Sequence, residues 1–187
     1  MLIVYNVVII ILFLLLLPLV LGFIIVRPSL VREGSERLGI FSKQCREYIN
    51  LLRKEQKDVI WVNAASVGEL MMARTMIGEI GQTAINSGFI VSTNSRSGIK
   101  MAQELFGPEK SFLLPLDLPW ITKKLAKKIK PKITIFVEFE SWPNLIHSLS
   151  QAGNRLVLVN GSMTNKILKY YPYFPGLLEK TLNKLDF

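Results

Sequence analysis

Five short β-rich runs punctuate the sequence: DVIWVN at 58–63, GFIVST at 88–93, KSFLLP at 110–115, KITIFV at 132–137 and RLVLVN at 155–160. Helix-length amphipathic segments lie between them. Runs that stay apolar from end to end are what strands covered on both faces require, and intervening helices imply right-handed crossovers between parallel strands. The pattern predicts an α/β fold, a Rossmann-like open parallel sheet. In such sheets the ligand crevice lies beyond the carboxyl ends of the strands. The informative turns are therefore 64–69, 93–98, 116–117, 138–144 and 160–164. With 187 residues, half of them hydrophobic, the chain can build one sizeable core.

A different signal precedes the sheet. Residues 1–26 contain no Asp, Glu, Lys or Arg, and the apolar stretch exceeds the roughly 20 residues that a helix needs to cross a bilayer. A cleaved leader fits poorly: the charged start is missing, the apolar run is too long, and no small-x-small site precedes Arg27. The segment reads as an uncleaved anchor, in which Pro18 introduces a kink or ends a shallower insertion. Arg27, Arg32, Arg37 and Lys43 follow it while nothing basic precedes it, which places the remainder in the cytoplasm by the positive-inside bias. The expected division is an anchor helix at 1–26, a basic juxtamembrane helical segment at 27–57 and the Rossmann-like domain at 58–187. Cys45 is the only cysteine, so no intramolecular disulfide forms, and it reads as a small thiol without a role.

The formal charge of +9 belongs to the part after the anchor and favours anionic surfaces. Its densest source is PWITKKLAKKIKPK at 119–132. Ile121, Leu125 and Ile129 recur every fourth residue, and Lys123, Lys124, Lys127, Lys128 and Lys130 fill the other positions. This predicts a basic amphipathic helix. With Trp120 at its start it suits anionic headgroups, each lysine contributing about 1 kcal/mol near such a surface. An ordinary solvated helix face has the same pattern. No zinc spacing, helix-turn-helix or aromatic-interleaved motif points to nucleic acid.

The five turns hold no Walker A loop, no G-x-G-x-x-G and no metal-ligand cluster. His147, the sole histidine, falls inside a predicted helix and reads as structural or solvent-facing. Carboxylates carry more. Glu69 opens a helix, and Glu138 and Glu140 directly follow the fourth run, so all three are expected at one crevice. Ser66-Val67-Gly68-Glu69 fits the capping box S-x-x-E, in which Ser accepts one free helix N–H and Glu reaches back to another. The same helix start would keep Glu69 ionised and able to accept a proton, or offer N–H groups to a phosphate. Spacing alone leaves cap and base both open.

The stretches ERLG (36–39), WVNAASVGEL (61–70), LPLDLP (114–119), VEFESWPNLI (137–146) and LVLVNGSMT (156–164) follow an apolar amino terminus in that order. Together they resemble the amino-terminal half of the Kdo transferases, which move 3-deoxy-D-manno-octulosonic acid from CMP-Kdo to lipid A precursors. The resemblance implies the acceptor-binding half of a two-domain GT-B glycosyltransferase with inverting chemistry, no cofactor and no metal. It maps the general base onto Glu69 and transition-state assistance onto Glu138. It further implies acceptor contacts at Ser66, Gly68, Glu140, Asn144 and Asn160, with Lys123, Lys124 and Lys127 holding the acceptor at the inner leaflet of the inner membrane. Glu140 has a second reading, as a holder of neighbouring backbone N–H groups, and Pro143 suits the first turn of the next helix. The sequence departs from the family where N-A-R-x-S is usual: Ser162 stands in place of the arginine. It also stops at NKLDF, where the family continues into the domain that grips CMP. The expectation is half an enzyme, with a separately encoded carboxyl-terminal donor-binding domain as partner. The alternative is a non-catalytic, membrane-bound lipid-binding remnant of a truncated or split gene.

Overall fold

The computed structural model describes residues 1–26, 30–161 and 175–186. Five strands form one sheet: β1 (Asp58–Asn63), β2 (Ser87–Thr93), β3 (Ser111–Leu113), β4 (Ile133–Phe136) and β5 (Arg155–Leu158), in the order β3-β2-β1-β4-β5. Every pairing is parallel, with Ile60 opposite Phe89 on one side of β1 and opposite Ile133 on the other. Each strand starts within one residue of its expected run, and β3 and β5 end two residues short of theirs. The chain order reverses direction between β1 and β4, which makes the ends of these two strands the switch point where doubly wound sheets open a crevice.

Helices α1 (Leu2–Val26), α2 (Leu30–Arg37) and α3 (Lys43–Lys54) precede the sheet. Then α4 (Val67–Thr83), α5 (Arg96–Phe106), α6 (Pro119–Ile129) and α7 (Pro143–Gln151) connect successive strands, and α8 (Pro175–Leu182) follows β5. The twofold alternation of strand side chains supplies two cores. Val59 and Trp61 of β1 face one side, with Cys45, Ile49 and Leu52 of α3, Leu125 and Ile129 of α6, and Leu145 and Leu149 of α7. Ile60 and Val62 face the other side, with Leu70 and Ala73 of α4 and Ala102 of α5. Burying a Leu or Ile in either layer contributes about 1.5–3 kcal/mol. Gly88 is required by this packing, since a Cβ there would stand 2.3 Å from Leu52 Cδ2. Cys45 is wholly buried, and that burial pushes its thiol up to about 12, with Glu36 adding to the rise. A thiol so placed is inert.

Among the described residues α1 is the one helix long and apolar enough to cross a membrane. Most of its surface is open, including Ile3, Val7, Leu12 and Leu15. Its first turns nevertheless touch the domain: the Tyr5 hydroxyl donates to Asp117 Oδ2 at 2.9 Å, and Phe13 meets Trp120 edge to face with ring centres 6.3 Å apart.

Candidate active site at the switch point

The β1 turn starts α4 with a full capping box. Ser66, extended at φ −110°, accepts the Glu69 N–H through its Oγ at 3.2 Å, and Glu69 Oε1 accepts the Ser66 N–H at 3.2 Å. A third bond goes beyond the expected motif: Glu69 Oε2 accepts the Ala65 N–H at 2.7 Å. The carboxylate, 6% exposed, thus has both oxygens on backbone donors at the amino-terminal end of a helix. Gly68 is exposed, and a Cβ there would meet nothing nearer than Ser66 Oγ at 3.9 Å. Packing does not demand glycine at this position.

The β4 turn sends its two carboxylates in different directions. Phe139 between them is buried in the core. Glu140 Oε2 accepts Asn94 Nδ2 at 2.6 Å and Trp142 Nε1 at 3.0 Å. Its partners are side chains rather than the backbone N–H groups that the sequence suggested. Because Asn94 follows β2 and Glu140 follows β4, this bond reaches across the end of β1. Glu138 turns towards β5, where Asn160 Nδ2 makes a long contact of 3.5 Å with its Oε1 and lies 3.8 Å from Met72 Sδ of α4. Asn160 adopts φ +55°, in the left-handed region that Asn tolerates best after Gly.

Asp117 organises the start of α7. Pro143 occupies the first helical position and Trp142 offers no side-chain cap. Asp117 from the β3 turn supplies the missing acceptor: Oδ2 takes the Asn144 N–H at 3.0 Å and Oδ1 the Leu145 N–H at 2.8 Å. Asn144 is itself buried, and its Nδ2 donates to the Asp117 carbonyl at 2.6 Å. Burial raises the Asp117 carboxyl from 3.8 to about 6, against the N–H donors of Asn144 and Leu145 and the Tyr5 hydroxyl, which favour the charged form.

Three residues outside the expected site set complete the scaffold. Asp117 is one, and Asn94 is another, its Oδ1 buried without a partner among the described residues. The third is Arg37 of the ERLG segment, whose guanidinium donates to the Leu114 carbonyl at 2.8 Å and to the carbonyl of Asn94. Glu36 beside it accepts the Leu113 N–H at 3.1 Å, and Gly39 turns the chain at φ +78°. The signal for these residues was their position in the turns and in ERLG, not any catalytic spacing.

Other expected residues fall elsewhere. Lys123, Lys124 and Lys127 lie on the exposed face of α6, and no bond joins them to the three carboxylates among the described residues. Lys128 turns inward over the Phe41 ring, 4.5 Å from its centre. His147 borders a cavity of about 430 Å³ with Leu2, Leu177 and Lys184, and burial, then Lys184, lowers its pKa. Ser162 lies outside the described residues. No group of three or more His, Cys, Asp or Glu suited to a metal occurs among the described residues.

The fold and site define a doubly wound α/β domain with polar side chains from four strand ends gathered around its switch point. Residues 32–187 match a family model described as 3-deoxy-D-manno-octulosonic-acid transferase (kdotransferase), and the chain belongs to that family. A 3-deoxy-D-manno-octulosonic acid transferase of Rickettsia bellii is 32% identical over 166 residues, 88% of this chain and 38% of that protein. One from Chlamydia muridarum is 27% identical over 135 residues, 71% of this chain and 31% of the relative. A bifunctional glycosyltransferase/methyltransferase of Fusobacterium nucleatum is 25% identical over 136 residues, 71% of this chain and 21% of that protein. The chain therefore spans less than half the length of these relatives. Membership is consistent with the sheet being the amino-terminal, Rossmann-like domain of a GT-B fold.

Proposed function

We propose that this chain is the acceptor-binding half of a Kdo transferase, which moves Kdo from CMP-Kdo to a lipid A precursor with inversion at the anomeric carbon. Glu69 is the general base. It takes the proton of a lipid A sugar hydroxyl as that oxygen bonds to the anomeric carbon, and the bond to CMP breaks with its electrons leaving on the phosphate. Glu138 assists the transition state from the neighbouring turn. Ser66, Gly68, Asn160 and Glu140 line the acceptor side, and Asn144 positions α7 through Asp117. Holding both substrates in attack geometry is worth roughly 7–11 kcal/mol of barrier, and a donor-binding domain would supply the CMP contacts. The chain sits at the inner membrane with its domain in the cytoplasm, α1 as anchor and Lys123, Lys124 and Lys127 towards anionic headgroups.

The observation that carries this reading is the topology: Glu69 opens α4 in the connection after β1, and Glu138 and Glu140 follow β4, the strand paired with β1. The capping box favours a second reading, non-catalytic lipid binding, because Ser66, Ala65 and Glu69 satisfy one another without any reaction. Two variants separate them when the chain is assayed with a family carboxyl-terminal domain supplied in trans. Ser66→Ala removes a cap and an acceptor contact but retains the base, so transfer weakens yet persists at saturating acceptor; Glu69→Gln removes the base, so transfer is lost even there. Equal activity of the two at matched stability would reject Glu69 as base.

A further inference from the structure

Resting on the membrane reading above, we propose that α1 lies along the domain in the plane of the bilayer instead of crossing it, with Met1 on the same side of the membrane as the sheet. The geometry is restrictive. At 1.5 Å per residue, Tyr5 is about 31 Å from Val26 along the helix. A helix that crossed the hydrocarbon would carry Tyr5 to the far interface, away from any side chain of the domain. Here the Tyr5 hydroxyl is bonded to Asp117, and Phe13, about 12 Å further along the same helix, packs on Trp120. Two contacts so spaced on one helix fix its axis against the domain surface.

The chemistry of α1 agrees. It is apolar around its whole circumference, unlike a helix with one face in water. A helix held between protein and hydrocarbon needs no polar face. Tyr5 and Asn6 are its only side chains with strong hydrogen-bonding groups. Both are half-buried, and Asn6 Oδ1 is shielded from solvent. The outer surface, with Ile3, Val4, Val7, Ile11, Leu15 and Leu19 exposed, is left for lipid tails. Headgroups then meet α6: Trp120 is half exposed, and Lys123 and Lys124 stand three and four residues on, on its face of the helix. The committed occupant is thus an anionic bilayer.

The test uses the full chain with Cys45→Ala and a short hydrophilic amino-terminal extension bearing one cysteine, expressed in a Gram-negative host. A second version carries Glu55→Cys instead, as a marker of the domain side. In-plane placement predicts that a membrane-impermeant maleimide labels both only after permeabilisation. Labelling of the extension, but not of Glu55→Cys, in intact spheroplasts would show a spanning helix and overturn the proposal. Benzoylphenylalanine at Phe13 gives a second readout, a crosslink to the peptide containing Trp120; crosslinks to lipid alone would also overturn it. Recovery of the chain in the soluble fraction would defeat the membrane reading itself, a failure distinct from label on the far side.

Discussion

Asn94 Nδ2 donates to Glu140 Oε2 at 2.6 Å, joining the turns after β2 and β4 across the end of β1. The bond is charge-assisted, and such bonds contribute about 1.5–3 kcal/mol. Arg37 fixes the Asn94 carbonyl and Trp142 donates to the same Glu140 oxygen, so the strut links α2 to the start of α7. Asn94→Ala is expected to cost about 1–3 kcal/mol and to shift the emission of Trp142. Urea unfolding monitored by fluorescence checks both. An unchanged midpoint would mean that the strut is not formed in solution.

The cap at α4 makes a graded prediction. Gln can serve in a capping box, and from the sequence motif alone Glu69→Gln leaves stability nearly unchanged. The structure changes that expectation, because both Glu69 oxygens accept N–H groups and an amide has only one acceptor oxygen. Glu69→Gln should therefore cost about 1–3 kcal/mol, comparable with the 0.5–2 kcal/mol expected of Ser66→Ala. Thermal unfolding of the two variants measures this.

Gly98 tests the turn after β2. A Cβ at this position would stand 2.3 Å from Thr93 Oγ1 and 3.0 Å from Ser95 Oγ, the oxygen that caps α5. Gly98→Ala must displace one of them, and a loss of roughly 1–3 kcal/mol with fraying of the first turn of α5 is expected. Hydrogen exchange at 96–99 reads it directly.

Asp117 sets a pH dependence. Its carboxyl titrates at about 6 in the folded chain against 3.8 unfolded, chiefly because it is buried. The folded state therefore binds the proton more tightly. The associated stability is fully present below 3.8 and is lost as pH rises through about 6. Asp117→Asn should flatten the stability profile across that interval. A profile that keeps its slope in the variant would assign the titration to another group.

The sheet was legible because strands buried on both faces leave uninterrupted apolar runs, and each of the five lies where its run stands. Asp58–Asn63 matches its run at both ends. The site was legible only in part. Glu69 and Ser66 declare themselves through i to i+3 spacing, a local rule. Asn94, Asp117 and Arg37 act through bonds between residues from 57 to 77 positions apart for Arg37 and 27 or 28 for Asp117, and no local periodicity encodes such partners. Strand alternation would set Glu138 and Glu140, two residues apart, on one face; their split arises in the turn after β4, which ends at Phe136, and neither it nor their partners is encoded in a local period. The contact of Tyr5 with Asp117 was invisible for the same reason: an apolar run of this length announces affinity for lipid, not the direction in which the helix lies.

The basic face of α6 carries a salt-sensitive expectation. In a variant lacking residues 1–26, replacing Lys123, Lys124 and Lys127 with Gln should weaken binding to anionic vesicles, and added salt should weaken the parent in the same way. Sedimentation with vesicles at two ionic strengths checks it; equal binding by both proteins would leave these lysines as a solvated face.

The central claim is that these residues form the acceptor side of a Kdo transferase. Calorimetric titration of the purified chain with lipid A precursor, with CMP as the paired titrant, tests it most directly. Saturable binding of the precursor is expected, weakened by Ser66→Ala and by Asn160→Ala, with no binding of CMP in the micromolar range. Failure to bind the precursor, or tight binding of CMP in its place, would contradict it.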